Sequence, residues 1–347
     1  MRVLALWVLA TWCAECVWGG FTVVDYPVVL LFLGPLYGSV AVLIREVARR
    51  RGGGWPVMVS LAVAFGLVQA GLVDQSLFDR AALEGTEFAE ESRAAGATWV
   101  AWPGFSAEQL FEFVRNHVWW SVCAPIAVVE AWAGPVVRRE PWLSRRGVVG
   151  LVVLYLVASL VNWSDSGRVV TAAQVAVVVV VVVVLVAVAL WASPPAGSRR
   201  AGSGPAVAAA AVGSVAAGSE GAGSRGPSGV PALVLGGSVL VVEVGSWFAG
   251  GGWSGLGLRV AGAVLVAVVA VRWARSQRQV LAVWGAGLVV AAAGAFLAPP
   301  YVAAASWLMV VSDVFGLVLV GVLLVVAWRR SRVIGATGGG AVGILAR

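Results

Sequence analysis

Seven polar side chains interrupt stretches that are otherwise apolar: Glu15, Gln69, Asn116, His117, Asn162, Glu243 and Asp313. Ionisable groups in such stretches are costly unless they pair, line a water-filled space or carry a proton. Carboxylates and an imidazole are the side chains that move protons or grip polar solutes. His117 is the chain's single histidine, so a conventional multi-histidine metal site is excluded. Cys13-Ala14-Glu15-Cys16 places two thiols one helical turn apart, the spacing of a thiol redox pair. Buried cysteine is equally a small apolar packing residue.

These residues need helices to position them. Of 347 residues, 60% are hydrophobic and only 12% are charged, against about 25% charged in soluble domains. Such a chain cannot cover a globule with polar surface and needs lipid as its solvent. A helix crosses the hydrocarbon with roughly 20 apolar residues. Ten stretches qualify: 3–19, 22–45, 55–73, 110–134, 147–163, 169–192, 230–250, 257–272, 279–298 and 303–327. The expectation is an all-α, polytopic integral membrane bundle of about ten transmembrane helices. The first stretch is read as a retained span, because Glu15 interrupts it and no small-x-small cleavage motif follows.

On that frame Glu15, Gln69, Asn116, His117, Asn162 and Glu243 all map to roughly the outer third of the membrane. Two readings are open: they line one outward-facing polar cavity, or each is satisfied separately by snorkelling or an interhelical hydrogen bond. Asp313 maps near mid-membrane, where snorkelling fails, so it is protonated, paired or functional. Glu130 and the Arg45-Glu46 pair read as packing and interfacial residues at the inner end. Pro35, between Gly34 and Gly38, and Pro125 mark kinks or close helix crossings.

All 24 basic residues are arginine, giving a net charge of +7. They cluster between apolar stretches and form no continuous basic surface, which argues against a nucleic-acid partner. The clusters at 45–51, 138–146, 199–225, 272–278 and 329–332 fall on one side, predicting both termini in the cytoplasm of a multi-pass cell-membrane protein. Two connections stand out. The acidic stretch 74–109 is long enough for a short helix over the outer face. The Ala/Gly/Ser/Pro-rich stretch 194–229 reads as a flexible cytoplasmic linker between a six-span part, 1–193, and a four-span part, 230–347.

The block Gly34-Pro35-Leu36-Tyr37-Gly38, Leu43-Ile44-Arg45-Glu46-Val47, Gly54-Trp55-Pro56 and Phe65 to Phe78 resembles a family of actinobacterial multi-pass membrane proteins without an assigned activity. A fainter resemblance is to the CAAX-type intramembrane proteases, whose pattern is Glu-Glu-x-x-x-Arg, then Phe-x-x-x-His, then a further His. Phe113-Val114-Arg115-Asn116-His117 fits the second element. Gln69-Ala70 stands in place of the acidic pair, Asp74 in place of the arginine, and no second histidine exists. That resemblance implies a non-catalytic relative.

Three functional classes follow: a transporter or small-molecule-binding protein using the outer polar layer and Asp313; an enzyme or degenerate enzyme using Glu15, Glu243 and His117; or a structural or regulatory partner of another membrane protein. No phosphate-binding loop, dinucleotide fingerprint, haem ligation or zinc spacing is present, so no cofactor is expected.

Overall fold

The computed structural model describes residues 1–167, 169–191 and 230–337. The linker expected at 194–229, with Arg199, Arg200 and Arg225, and also Arg168, lie outside the described residues.

The described chain is almost wholly helical. In order come α1 (Arg2–Glu15), α2 (Tyr26–Arg50) and α3 (Trp55–Val68), the last prolonged by a π-helical turn, Gln69–Val73. A short α4 (Ala89–Ala95) and a two-stranded antiparallel hairpin, β1 (Trp99–Val100) with β2 (Phe105–Ser106), follow. Then α5 (Ala107–Asn116), a second π turn (His117–Cys123) and α6 (Ala124–Ala133) form one continuous run. The remainder is α7 (Arg145–Ser166), α8 (Ala172–Trp191), α9 (Ala232–Ser246), α10 (Gly252–Trp273), α11 (Gln277–Gly294) and α12 (Ser306–Thr337). The ends follow local chemistry. Ser106, Ser144 and Ser276 cap helix N-termini, and Ser276 forms a reciprocal capping box with Gln279. Gly134 and Gly167 stop α6 and α7 at positive φ.

Among the described residues seven helices are long and apolar enough to cross a membrane: α2, α3 with its π turn, α7, α8, α10, α11 with the short turn that follows it, and α12. Each other expected span also holds a helix, but α1 has 14 residues and α9 has 15. The 107–133 run is long enough, yet Glu108, Glu112, Arg115 and His117 make its first half polar.

One hydrophobic core holds α1, α2, α6, α9 and α11 together. Helices before residue 192 and after residue 229 share it. The Trp119 indole N–H donates to the Trp284 carbonyl at 3.0 Å, lying against Gly287, where any Cβ would collide with the ring. Gly34 and Gly38 likewise leave room for the Trp7 ring where α1 meets α2. Around this core, α7 buries no residue and α8 buries only Val178 and Ala189. Their exposed faces are rows of valine and leucine, as are those of α10 and α12. Apolar surface this continuous suits lipid, not water.

At the arginine-rich end a charged knot is buried inside the bundle. Arg45, Glu46 and Glu130 are 0%, 1% and 0% exposed. Arg45 Nε donates to Glu130 Oε1 at 3.0 Å, and Arg49 grips the same carboxylate through two N–H groups at 2.9 and 2.5 Å. The remaining Arg45 donors reach the carbonyls of Arg138 (2.7 Å) and Glu140 (3.2 Å), and its guanidinium lies 3.3 Å from the Trp142 ring centroid. Glu46 accepts from the backbone N–H of Trp142 (2.8 Å) and Leu143 (3.2 Å) and from Arg50 (2.9 Å). The knot therefore joins α2, α6 and the loop into α7. Breaking a buried pair from one side strands the partner charge at about 3–5 kcal/mol. Glu130→Ala leaves both arginines uncompensated, so the variant should show a large drop in thermal unfolding midpoint in detergent micelles. A midpoint within 1–2 °C of the parent, on the order of 0.5 kcal/mol, would show the knot to be energetically idle.

Candidate functional site

At the end of the bundle opposite the arginine knot, three of the polar side chains singled out in the sequence converge: Glu15 from the end of α1, Gln69 from α3, and His117 from the α5–α6 run. Three residues that the sequence reading did not select complete the group: Tyr37, Asp74 and Tyr301. The Tyr37 hydroxyl lies beside the Glu15 carboxylate. The Gln69 amide lies beside Asp74, which is within electrostatic range of His117 and Glu15. Tyr301, between α11 and α12, feels both carboxylates. Tyr37 and Phe65 flank the His117 ring at centroid distances of 5.8 and 5.3 Å.

Local backbone geometry sets these positions. Gln69 and His117 are each the first residue of a π-helical turn. A π turn inserts an extra residue per turn, shifts the following register and recurs at functional sites. Gly66 lets α3 and α5 approach closely: a Cβ there would stand 3.1 Å from Val114 Cα and 3.3 Å from His117 Cβ. Asp74 is held by Ser76, whose N–H and hydroxyl donate to Oδ1 at 3.0 and 2.7 Å. Gln75 takes a left-handed φ of 59° and is fully buried. Its side chain donates to the Gly167 carbonyl (2.6 Å) and accepts from Val169 (3.0 Å) and Val170 (3.1 Å). That clasp fixes the Asp74 turn against the α7–α8 connection.

Over the cluster sits an aromatic cover. Trp18 meets Tyr301 edge-on at 5.4 Å, Phe88 meets Tyr301 at 5.3 Å, and Trp120 stacks on Trp18 at 6.4 Å. Phe88 precedes α4, so the acidic connection does contain a short helix, and its N-terminal residue touches the cover.

Two buried side-chain atoms of the cluster have no partner among the described residues. Gln69 is 2% exposed and its Oε1 has no partner among the described residues. The His117 Nδ1 lies 2.6 Å from the Phe113 carbonyl, which fixes the proton there and leaves Nε2 as a buried, unpartnered lone pair. Asp74 and Tyr301 stand outside the spanning helices. Burial raises the Asp74 carboxyl above the ordinary carboxylate range against the opposing Ser76 and Gln69 donors. Burial and then the two carboxylates raise the Tyr301 phenol. No group of His, Cys, Asp and Glu side chains suited to a metal ion occurs among the described residues.

The other expected site residues lie elsewhere. Glu243 pairs with Arg115, which also meets Glu112 at 3.2 Å and Asn116 Oδ1 at 3.4 Å. Arg259 extends this strap to Glu108 at 2.5 Å. Asn162 lies on α7, which packs on the Gln69–Val73 turn, and its Oδ1 has no partner among the described residues. Asp313 is half-buried on α12, near Tyr26, without a hydrogen bond or ion pair among the described residues. Cys13 and Cys16 are buried free thiols packed in the core. The chain matches no family model, no curated protein and no solved structure. Geometry alone must therefore carry the functional reading. A groove of about 410 Å³ at the opposite end is lined by Leu233, Leu324, Val325, Trp328 and Arg329, with no convergent polar groups.

The strap generates a direct test. Arg115→Ala strands Glu243, which is 4% exposed, and should destabilise the protein. Adding Glu243→Gln should recover part of the loss, because a neutral amide costs less to bury than a lone carboxylate. A double-mutant cycle on thermal unfolding should give coupling of about 1–3 kcal/mol. Additive losses would show that the two residues do not act as a pair.

Proposed function

We propose that this is an integral membrane protein of ten crossings with cytoplasmic termini, and that the His117 cluster is an outward-facing binding site for a small polar solute, as in a transporter or solute-binding protein. The arginine distribution supports the orientation. Helices at all ten expected stretches support the count. One observation carries the functional reading: two buried polar atoms, Gln69 Oε1 and His117 Nε2, are unpartnered beside two carboxylates under an aromatic cover. A structural polar cluster would be expected to satisfy its buried atoms internally. A site that exchanges a solute leaves them for the solute.

A second reading has one specific observation behind it. Gln69 and Asp74, which stand where the CAAX-type proteases carry their acidic pair and arginine, meet the Phe113-x-x-x-His117 histidine in space. A non-catalytic relative of those proteases would keep this arrangement. A partner role for the protein rests on no comparable observation.

The single histidine and the absence of lysine make the site directly testable with diethyl pyrocarbonate on protein carrying no histidine tag. In right-side-out vesicles His117 should acquire one hydroxylamine-reversible adduct, and in inside-out vesicles it should react far more slowly. Protection from both faces, or preferential reaction from the inside, would remove the outward-facing site.

A further inference from the structure

We infer that the solute taken by the His117 cluster bears a primary ammonium group. The inference deepens the binding-site reading and rests on it. Its basis is which hydrogen-bonding atoms remain open. The Gln69 amide nitrogen faces the Asp74 carboxylate, so only the carbonyl oxygen is left. The His117 Nδ1 proton is committed to the Phe113 carbonyl, so only the Nε2 lone pair is left. Both open atoms are acceptors. The neighbouring ionisable side chains, Glu15 and Asp74, are acids, with no arginine of the strap paired to either one. A carboxylate or phosphate solute would meet both open acceptors and the two acidic side chains. A neutral solute would leave two acidic groups facing each other. An ammonium group supplies three donors and one positive charge in a compact head, matching two lone pairs and an acidic surround.

The aromatic cover agrees with this choice. Tyr37, Trp18 and Tyr301 border the cluster, and π faces attract cations. A metal ion is the competing cation, but a metal needs a convergent set of ligating side chains, and none occurs among the described residues. Gln69 separates ammonium from a charge-only reading, because a directed acceptor rewards an N–H donor.

The test uses the purified full chain in neutral detergent, with thermal unfolding as the readout. Ethylammonium chloride, tetramethylammonium chloride, sodium acetate and glucose are compared at matched ionic strength. Ethylammonium should raise the midpoint by about 2 °C or more at saturation, as a ligand bound only by the folded state must. Tetramethylammonium, which has no N–H, should give much less. Gln69→Leu and Glu15→Gln should each abolish most of the ethylammonium shift. If one variant does not fold, the other and the tetramethylammonium comparison still decide. Equal shifts from both cations would overturn the donor-reading claim. A shift from acetate or glucose alone would overturn the solute class while leaving the binding site standing. No shift from any compound, with His117 still labelled from outside, would overturn the ammonium inference only. Loss of the labelling itself would remove the binding-site reading beneath it.

Discussion

A carboxylate buried among helices must be neutralised, and Glu130 meets that constraint with two arginines at once. Arg45 and Arg49 come from successive turns of α2, so they reach one acceptor from one helix face. Two cations on one anion would leave an excess positive charge. The loop after α6 absorbs it: the carbonyls of Arg138 and Glu140 and the face of Trp142 take the outer side of Arg45. Glu46, one residue along, lies 4.0 Å from Arg45 Nη1 and collects the N–H groups of Trp142 and Leu143. The chain entering α7 is thereby fixed by side chains of α2. Helix α7 buries no residue fully; Leu151, Tyr155 and Ala158 pack against the core, and this junction and the Gln75 clasp fix its two ends.

The charged knot and the His117 cluster differ in how completely their side chains are partnered. At the arginine end, Arg45, Arg49, Glu46 and Glu130 all have partners. At the opposite end a cluster of similar polarity stops short, with Gln69 Oε1 and His117 Nε2 open. Both residues begin π turns, which break the regular helical ladder where those side chains enter. An unsatisfied buried acceptor costs about 1–3 kcal/mol, and a second one doubles the burden. Other buried polar atoms, Ser39 Oγ and Trp132 Nε1 among them, are open as well, and what sets this cluster apart is two open acceptors beside two carboxylates.

The sequence revealed the level of the polar residues but not their direction. Counting from span ends placed Glu15, Gln69, His117 and Glu243 at one depth, because depth depends only on position along a helix. Which way each side chain points depends on packing. Asn116 and His117 differ by about 100° around the axis, and that single step sends His117 toward Tyr37 and leaves Asn116 with Arg115. Glu243 was indistinguishable from a site residue until Arg115 was seen beside it. Tyr37 was legible only as part of a glycine-proline motif suggesting a close crossing; the crossing exists against Trp7, and it also aims the tyrosine at Glu15. Asp74 was counted with the acidic connection, since nothing in the sequence marks the left-handed Gln75 that turns the chain back. Glu130 and Arg45-Glu46 read as separate interfacial residues because 85 residues divide Arg45 from Glu130.

The same inequality bears on which end can open. Parting the arginine end would separate Glu130 from two guanidiniums, Arg45 from the carbonyls of Arg138 and Glu140, and Glu46 from the N–H groups of Trp142 and Leu143. Parting the His117 end separates aromatic edges, worth about 0.5–1.5 kcal/mol per pair, and contacts of a connection held by one short helix and a two-stranded hairpin. Nothing charged spans the cover itself, since Trp18, Phe88, Trp120 and Tyr301 meet through rings. The Arg115–Glu243 and Arg259–Glu108 strap lies beside the cluster and ties α5 to α9 and α10, so it can hold the two halves of the bundle while the cover moves. On the proposed reading, open acceptors beneath ring contacts, on a bundle clamped at the far end, would favour access from one side.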